Sequence, residues 1–227
     1  MRIAAINGSP RGEESDSREL ITTLQGAIGK GHEWLIVSQI QQERNPNDSI
    51  LDTISTCDAL VVAFPVYMDA LPASLMRFLG RYAARAARSG AIRRGQRVFA
   101  MANCGFYEGE HCEVSLDIMR RYCESCGLVW AGGIGVGTGE MLRKIKTRRP
   151  DSGPKKPVYR AVKAVANAIV LDKNARLIEN ILTHHGVSWS AYRRAGDREW
   201  KARMRKNGLK KKDALARPLE ALIKTRS

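Results

Sequence analysis

The residues best suited to chemistry come first in the chain, where Asn7-Gly8-Ser9-Pro10-Arg11 follows the apolar run Ile3-Ala4-Ala5-Ile6 and leads to Ser15 and Ser17. This composition suits a phosphate group. Gly8 lets the main chain approach a ligand closely, Ser9, Ser15 and Ser17 offer hydroxyls, and Arg11 adds a fork of charge-assisted donors. A helix starting near Ser17 would aim its positive end at the same point. A merely polar strand-to-helix turn has the same composition, so the loop alone leaves both readings open.

A second segment, Phe64-Pro65-Val66-Tyr67-Met68-Asp69-Ala70-Leu71-Pro72, joins an apolar run to a helix-like stretch. Its two prolines stiffen it, and Tyr67, Met68 and Leu71 offer a flat, partly apolar edge to a planar heterocycle. The alternative is a turn whose aromatic ring caps the core. The third, Asn103-Cys104-Gly105-Phe106-Tyr107-Glu108-Gly109-Glu110, combines an amide, a small thiol and a glycine, so that backbone can lie along a ring. Its alternative is a mobile surface loop.

These segments need a scaffold. Residues 59–64 form an apolar run without alternation, the mark of a strand buried on both faces. Further runs at residues 3–6, 33–37, 97–102 and 128–136 predict four more strands. Helical spacing predicts helices over 17–31, from Asp48, over 72–88 and over 110–126. Strand and helix therefore alternate, which predicts an α/β protein with a doubly wound five-stranded parallel sheet and helices on both faces. Ligands of such sheets lie at the carboxyl ends of the strands. Residues 143–157, with three prolines and seven basic residues, read as an exposed loop, and 158–182 as a long helix packing through Val162, Val165, Ile169, Leu177 and Ile181. The expected domain is 1–182, with a basic helical extension over 183–227.

Charge separates the same regions. Residues 1–140 carry 14 Lys+Arg against 16 Asp+Glu, whereas 141–227 carry 24 against 7. The second region should attract anions. Five cysteines and no secretory-type leader predict reduced thiols and a cytoplasmic location. Cys123 and Cys126 have CxxC spacing but fall on one face near a helix end, where buried core thiols are the preferred reading. No metal site is expected at His184-His185, since no Cys, Asp or Glu completes a ligand set. No G-x-S-x-G elbow suggests a hydrolase.

The ordered set Asn7-Gly-Ser-Pro-Arg, Phe64-Pro-Val-Tyr with Leu71-Pro-Ala, and Asn103-Cys-Gly-Phe-Tyr-Glu resembles the NAD(P)H-dependent FMN reductase and quinone reductase family of the flavodoxin-like superfamily, over about residues 1–140. The resemblance implies FMN as cofactor, NADPH or NADH as electron donor, a quinone, azo or other small acceptor, and a homodimer or homotetramer. It puts Ser9, Arg11, Ser15 and Ser17 at the FMN phosphate, and Pro65, Val66, Tyr67, Met68, Asn103, Cys104 and Gly105 beside the isoalloxazine. No dedicated catalytic acid or base is implied. Residues 200–213 are similar to a C-terminal element of some of these oxidoreductases. The related iron-sulfur flavoproteins carry four cysteines before the third strand. Here only Cys57 lies in that region, so no cluster is expected.

Two other functions compete. A flavodoxin-like electron carrier would lack a nicotinamide site, but such carriers are acidic and have a Thr/Ser-rich phosphate loop. Alternatively, the extension could bind nucleic acid or an anionic membrane through Trp189, Tyr192 and Trp200 among basic residues. A solvated basic face with a dimer-packing role is preferred to that. Arg143, Lys144 and Lys146 lean towards NADPH by charge alone.

Overall fold

A computed structural model describes residues 1–89, 95–171, 175–177 and 179–215. The chain forms two compact units, Met1–Gly186 and Val187–Ser227. In the first, strands β1 (Arg2–Asn7), β2 (Glu33–Ser38), β3 (Ala59–Pro65), β4 (Arg97–Asn103), β5 (Val129–Val136) and β6 (Ile181–Thr183) make one parallel sheet in the order β2-β1-β3-β4-β5-β6. Strand order reverses between β1 and β3. Helices α1 (Asp16–Ile28), α2 (Gln39–Arg44), α3 (Asp48–Ser55), α4 (Ala73–Ser89), α5 (Glu113–Cys126), α6 (Met141–Lys144) and α7 (Lys156–Val170) connect the strands.

The apolar runs become strands because both sheet faces are covered. β3 buries every residue from Ala59 to Phe64, and β4 buries all seven of its residues. On one face Leu60, Val62 and Phe64 meet α3, α4 and α5 through Leu51, Leu75 and Leu116. On the other, Ile3, Ala5 and Val61 meet α1 and α7 through Leu20, Leu24, Val162 and Val165. This alternation places β-branched and small residues where helices press from above and below.

Two expectations need correction. The sheet has six strands rather than five, and the helix expected over 158–182 ends at Val170. Residues 172–174 and 178 of that span lie outside the described residues. Leu177 and Ile181 do bury apolar surface, but from extended chain: Leu177 N–H donates to Ala131 O at 2.8 Å, and Gly133 N–H to the Asn180 side chain at 3.1 Å. The exposed edge of β5 needs hydrogen-bond partners, and this segment supplies them. The spacing of 177 and 181 imitates a helix while the edge of the sheet decides the structure.

The loop expected over 143–157 is bounded by the end of α6 and the start of α7, and it is not wholly exposed, since Lys155 is buried. Its ammonium donates to Lys146 O at 3.2 Å and lies 4.0 Å from Glu19. His185 is likewise fully buried, although sequence placed it in a polar extension. In the second unit, helix α8 (Trp189–Lys206) is capped by Ser188 and has no buried residue. Trp189, Tyr192, Trp200 and Met204 recur at helical spacing on one side, with Arg194, Arg198, Lys201 and Arg205 on the other. Residues 216–227 of the expected extension lie outside the described residues. Among those described, no helix is long and apolar enough to cross a membrane.

Candidate functional site

The three segments meet at the carboxyl end of the sheet, around the β1/β3 reversal. One cleft is lined by Ser9, Arg11, Ser15 and Ser17 from the first, Pro65, Val66 and Tyr67 from the second, and Asn103, Cys104 and Gly105 from the third. Met68 stands apart. It lines an adjoining depression with Val66, Asp69, Cys104, Gly105, Phe106 and His111, and is 97 % exposed.

Asn103 fastens the three loops together. Its side-chain amide donates to Ser17 Oγ and to Phe64 O, each at 3.0 Å, while its main-chain carbonyl accepts from Val66 N–H at 2.8 Å. Buried at the strand end, it satisfies groups from each neighbouring loop, which is what fixes loops relative to one another.

Asn7 shapes the first loop. It is fully buried, donates to Gly12 O at 2.7 Å and accepts from Ser9 N–H at 3.2 Å. Ser15 Oγ donates to Gly12 O at 2.6 Å and accepts from Arg18 N–H at 3.1 Å, capping α1. Its hydroxyl thus builds the loop. The N–H groups of Asp16 and Ser17 start the helix and have no acceptor within it. Arg11 is exposed at the rim and pairs with no carboxylate among the described residues.

The second loop closes as a two-residue hairpin turn. Tyr67 and Ala70 exchange both backbone hydrogen bonds, at 3.0 and 3.1 Å, and Met68 and Asp69 take φ of 51° and 62°. Aspartate tolerates this left-handed conformation, whereas methionine adopts it at a cost. Four backbone donors of the second and third loops are not free to bond a ring. Those of Val66, Tyr67, Ala70 and Cys104 are engaged within the protein.

Sequence reasoning missed the turn after β5. Gly137-Thr138-Gly139-Glu140 lies against the third loop: Gly139 N–H donates to Cys104 O at 2.8 Å, Thr138 N–H to Phe106 O, and Glu140 lines the cleft. Asp16 was also missed. Its carboxylate lines the cleft while accepting from Arg143 N–H and Nε, each at 3.2 Å, which offsets a negative charge beside the helix start. A signal for the turn existed, namely two glycines and a threonine directly after a strand at the ligand edge.

Thr138 has φ 54° and is buried; its Oγ1 lies 2.9 Å from His185 Nδ1 and accepts from His185 N–H at 2.9 Å. The other ring nitrogen, Nε2, is buried with no partner among the described residues. Burial, aided by the nearby Lys155 charge, lowers the His185 pKa from 6.5 to about 4. The unfolded chain therefore binds the proton more readily. This residue's contribution to stability is complete above pH 6.5, falls by about 3 kcal/mol as pH drops towards 4, and then levels off. His185→Asn, which keeps a group to bond Thr138 and does not titrate, should show a shallower loss than the parent chain in urea melts between pH 7 and 4.5.

Residues 1–117 match the family described as NADPH-dependent FMN reductase. The chain belongs to that family. It is accordingly an FMN-dependent oxidoreductase supplied by a reduced nicotinamide. No curated protein matches the chain. Solved structures of the same fold include the NADH:FMN oxidoreductase EMOB in its apo form, at 17 % identity and TM-score 0.55, covering 75 % of this chain and 88 % of that one. An NAD(P)H:quinone oxidoreductase from Methanothermobacter marburgensis matches at 13 % and 0.53, covering 75 % and 96 %. An azoreductase from Bacillus anthracis str. Sterne matches at 13 % and 0.51, covering 74 % and 99 %. Identities this low carry the fold alone.

The cleft suits the family's cofactor. Hydroxyls, an exposed guanidinium and a helix start lie at one end, matching a phosphate. At the other end Gly105 leaves open space, since an added Cβ would meet only Glu140 Oε1, at 4.0 Å.

Proposed function

We propose that this cleft holds FMN non-covalently and that the enzyme passes electrons from a nicotinamide through it to a quinone, an azo compound or a similar small acceptor. The observation that carries the reading is the joining of all three loops by Asn103 at the strand-order reversal. Ser9, Arg11, Ser15 and Ser17, with the start of α1, are assigned to the phosphate. Pro65, Val66, Tyr67, Met68, Asn103, Cys104 and Gly105 are assigned to the ring system. When bound, FMN supplies the hydride chemistry. The protein's part is to bind, orient and exclude water. Pro65 and Val66 give the ring an apolar wall, and Gly105 lets the backbone come close.

Arg11 contributes charge at the rim and little to folding, because it is exposed and bonds through its side chain to no described residue. Arg11→Ala should weaken FMN binding ~30-fold with the unfolding midpoint nearly unchanged, and added salt should erode the difference. Fluorescence titration of FMN at two ionic strengths measures both effects.

The choice of acceptor class is supported by the names of the similar structures, which include a quinone oxidoreductase and an azoreductase. A homodimer or homotetramer belongs to the same reading, supported by the apolar rim of Tyr67, Met68 and Phe106, which are 47 %, 97 % and 61 % exposed. The deciding experiment is the visible spectrum of the purified protein with identification of the released flavin, followed by anaerobic titration with NADPH and NADH. Bound FMN that bleaches with either nucleotide is expected. A protein that takes up no flavin when FMN is added would overturn the assignment.

A further inference from the structure

Helix α8 has 18 residues, which makes it about 27 Å long, and none of them is buried. Its ends are set locally. Ser188 Oγ accepts from Ala191 N–H at 3.3 Å at the start, and at the finish Gly208 takes φ of 72° while Leu209 N–H donates to Met204 O at 2.9 Å. A helix in water draws most of its stability from the packing of one face. The face on offer runs through Trp189, Tyr192, Gly196, Trp200 and Met204, each three or four residues from the last, and Leu209 follows at its end. Trp189 and Trp200 are 51 % and 68 % exposed.

A line of cations, Arg194, Arg198, Lys201 and Arg205, runs along the opposite side at the same spacing, and none of the four forms an ion pair with a described residue. Lys210-Lys211-Lys212 comes after the helix, so residues 187–215 carry ten Lys+Arg against three Asp+Glu. Arg193 and Arg203 stand beside the aromatic line and are held there. The Arg193 guanidinium lies 4.8 Å from the centre of the Trp189 ring, and Arg203 pairs with Glu199. A solvated basic face accounts for the cations but leaves the aromatic line in water. A nucleic acid strand offers its bases and phosphates to one side of a helix, whereas here rings and cations lie on opposite sides. An anionic bilayer engages both. Indole and phenol rings enter the boundary between head groups and acyl chains, to a depth of about 5–10 Å. A helix about 10–12 Å thick sunk that far keeps its outer side within about a Debye length of the phosphates, and long Lys and Arg stems reach back to them.

We propose that α8 is an interfacial helix that binds an anionic phospholipid bilayer and lies in its plane, with Trp189, Tyr192, Trp200 and Met204 entering the lipid and the arginines and lysines held by the head groups. It lies on the membrane rather than crossing it, since no described helix is long and apolar enough to span. Docking is independent of the flavin assignment. For an acceptor that dissolves in lipid, it brings enzyme and substrate to one place.

The test is sedimentation of the full chain with vesicles of phosphatidylcholine and phosphatidylglycerol, compared with vesicles of phosphatidylcholine alone. Binding to the anionic vesicles, weak binding to the neutral ones and loss of binding with added salt are expected. Lipids brominated on the acyl chains should quench tryptophan fluorescence, and replacing both Trp189→Phe and Trp200→Phe should remove most of that quenching while binding persists. Trp200→Glu should weaken binding ~30-fold, and Arg198→Glu with Lys201→Glu ~100-fold. These positions are exposed, so the unfolding midpoint of each variant should stay at the parent value. No sedimentation with the anionic vesicles, equal sedimentation with both kinds, or quenching unchanged in the phenylalanine variant would each overturn the proposal. A mixed-sequence RNA or DNA oligonucleotide that binds more tightly than the vesicles and strips the protein from them would assign the helix to nucleic acid instead. Self-association abolished by Trp200→Glu, with no vesicle binding, would assign its aromatic side to a second copy of the chain.

Discussion

Gly137→Ala should cost about 3 kcal/mol, lower the melting temperature by about 10 °C and abolish tight FMN binding. A Cβ at this position would lie 2.2 Å from Tyr107 O, 2.6 Å from Glu108 C and 2.8 Å from Glu108 O. All three are backbone atoms, so no side-chain rotation relieves the clash. Nor can Gly137 retreat freely, because its N–H donates to Thr183 O at 2.8 Å and the next residue holds His185. The strain must move the third loop, which carries Cys104 and Gly105. Gly26→Ala provides the contrast. Gly26 lies exposed within α1 with nothing within 4 Å of an added Cβ, and alanine there should stabilise the protein by about 0.5–1 kcal/mol. Urea melts of both variants, with FMN titration of the folded protein, check the pair. An unchanged midpoint for Gly137→Ala would mean that the third loop yields easily and does not define the cleft.

The difference between these two glycines also shows what a sequence discloses. Local signals located β1, β3 and the long helices, because apolar runs and 3.6-residue spacing are set by neighbours along the chain. They located the cleft as well, because loops at strand ends converge once the sheet is parallel. What they could not disclose depends on contacts distant in sequence. Nothing near His185 announces that Thr138 will receive it, and nothing near Asp16 announces Arg143. The three-residue β6 is too short to show a period, and its pairing is decided by the free edge of β5. Ser15 illustrates a subtler limit: its position on the cleft was legible, but its hydroxyl is committed to Gly12 O and the α1 cap.

Asn7→Ala should raise the FMN dissociation constant ~100-fold and destabilise the fold by about 2 kcal/mol, although Asn7 lines no part of the cleft. The residue is fully buried, and its removal leaves Ser9 N–H without its acceptor, while Gly12 O keeps only the Ser15 hydroxyl. The loop then loses the brace that holds Ser9 and the start of α1 in one arrangement. Binding suffers because the free loop must be reordered around the phosphate, a cost that the native loop has already met. Asn7→Asp separates shape from charge. It preserves size and the acceptor for Ser9 N–H, but sets a carboxylate oxygen where the amide nitrogen met Gly12 O at 2.7 Å and adds negative charge behind the phosphate site. FMN affinity should therefore fall further than in the alanine variant at pH 8. Near pH 5, where protonation restores a donor to the side chain, part of the loss should return in Asn7→Asp and none in Asn7→Ala. Parent-like affinity in both variants would transfer the shaping of the phosphate loop to Ser15 and the helix cap.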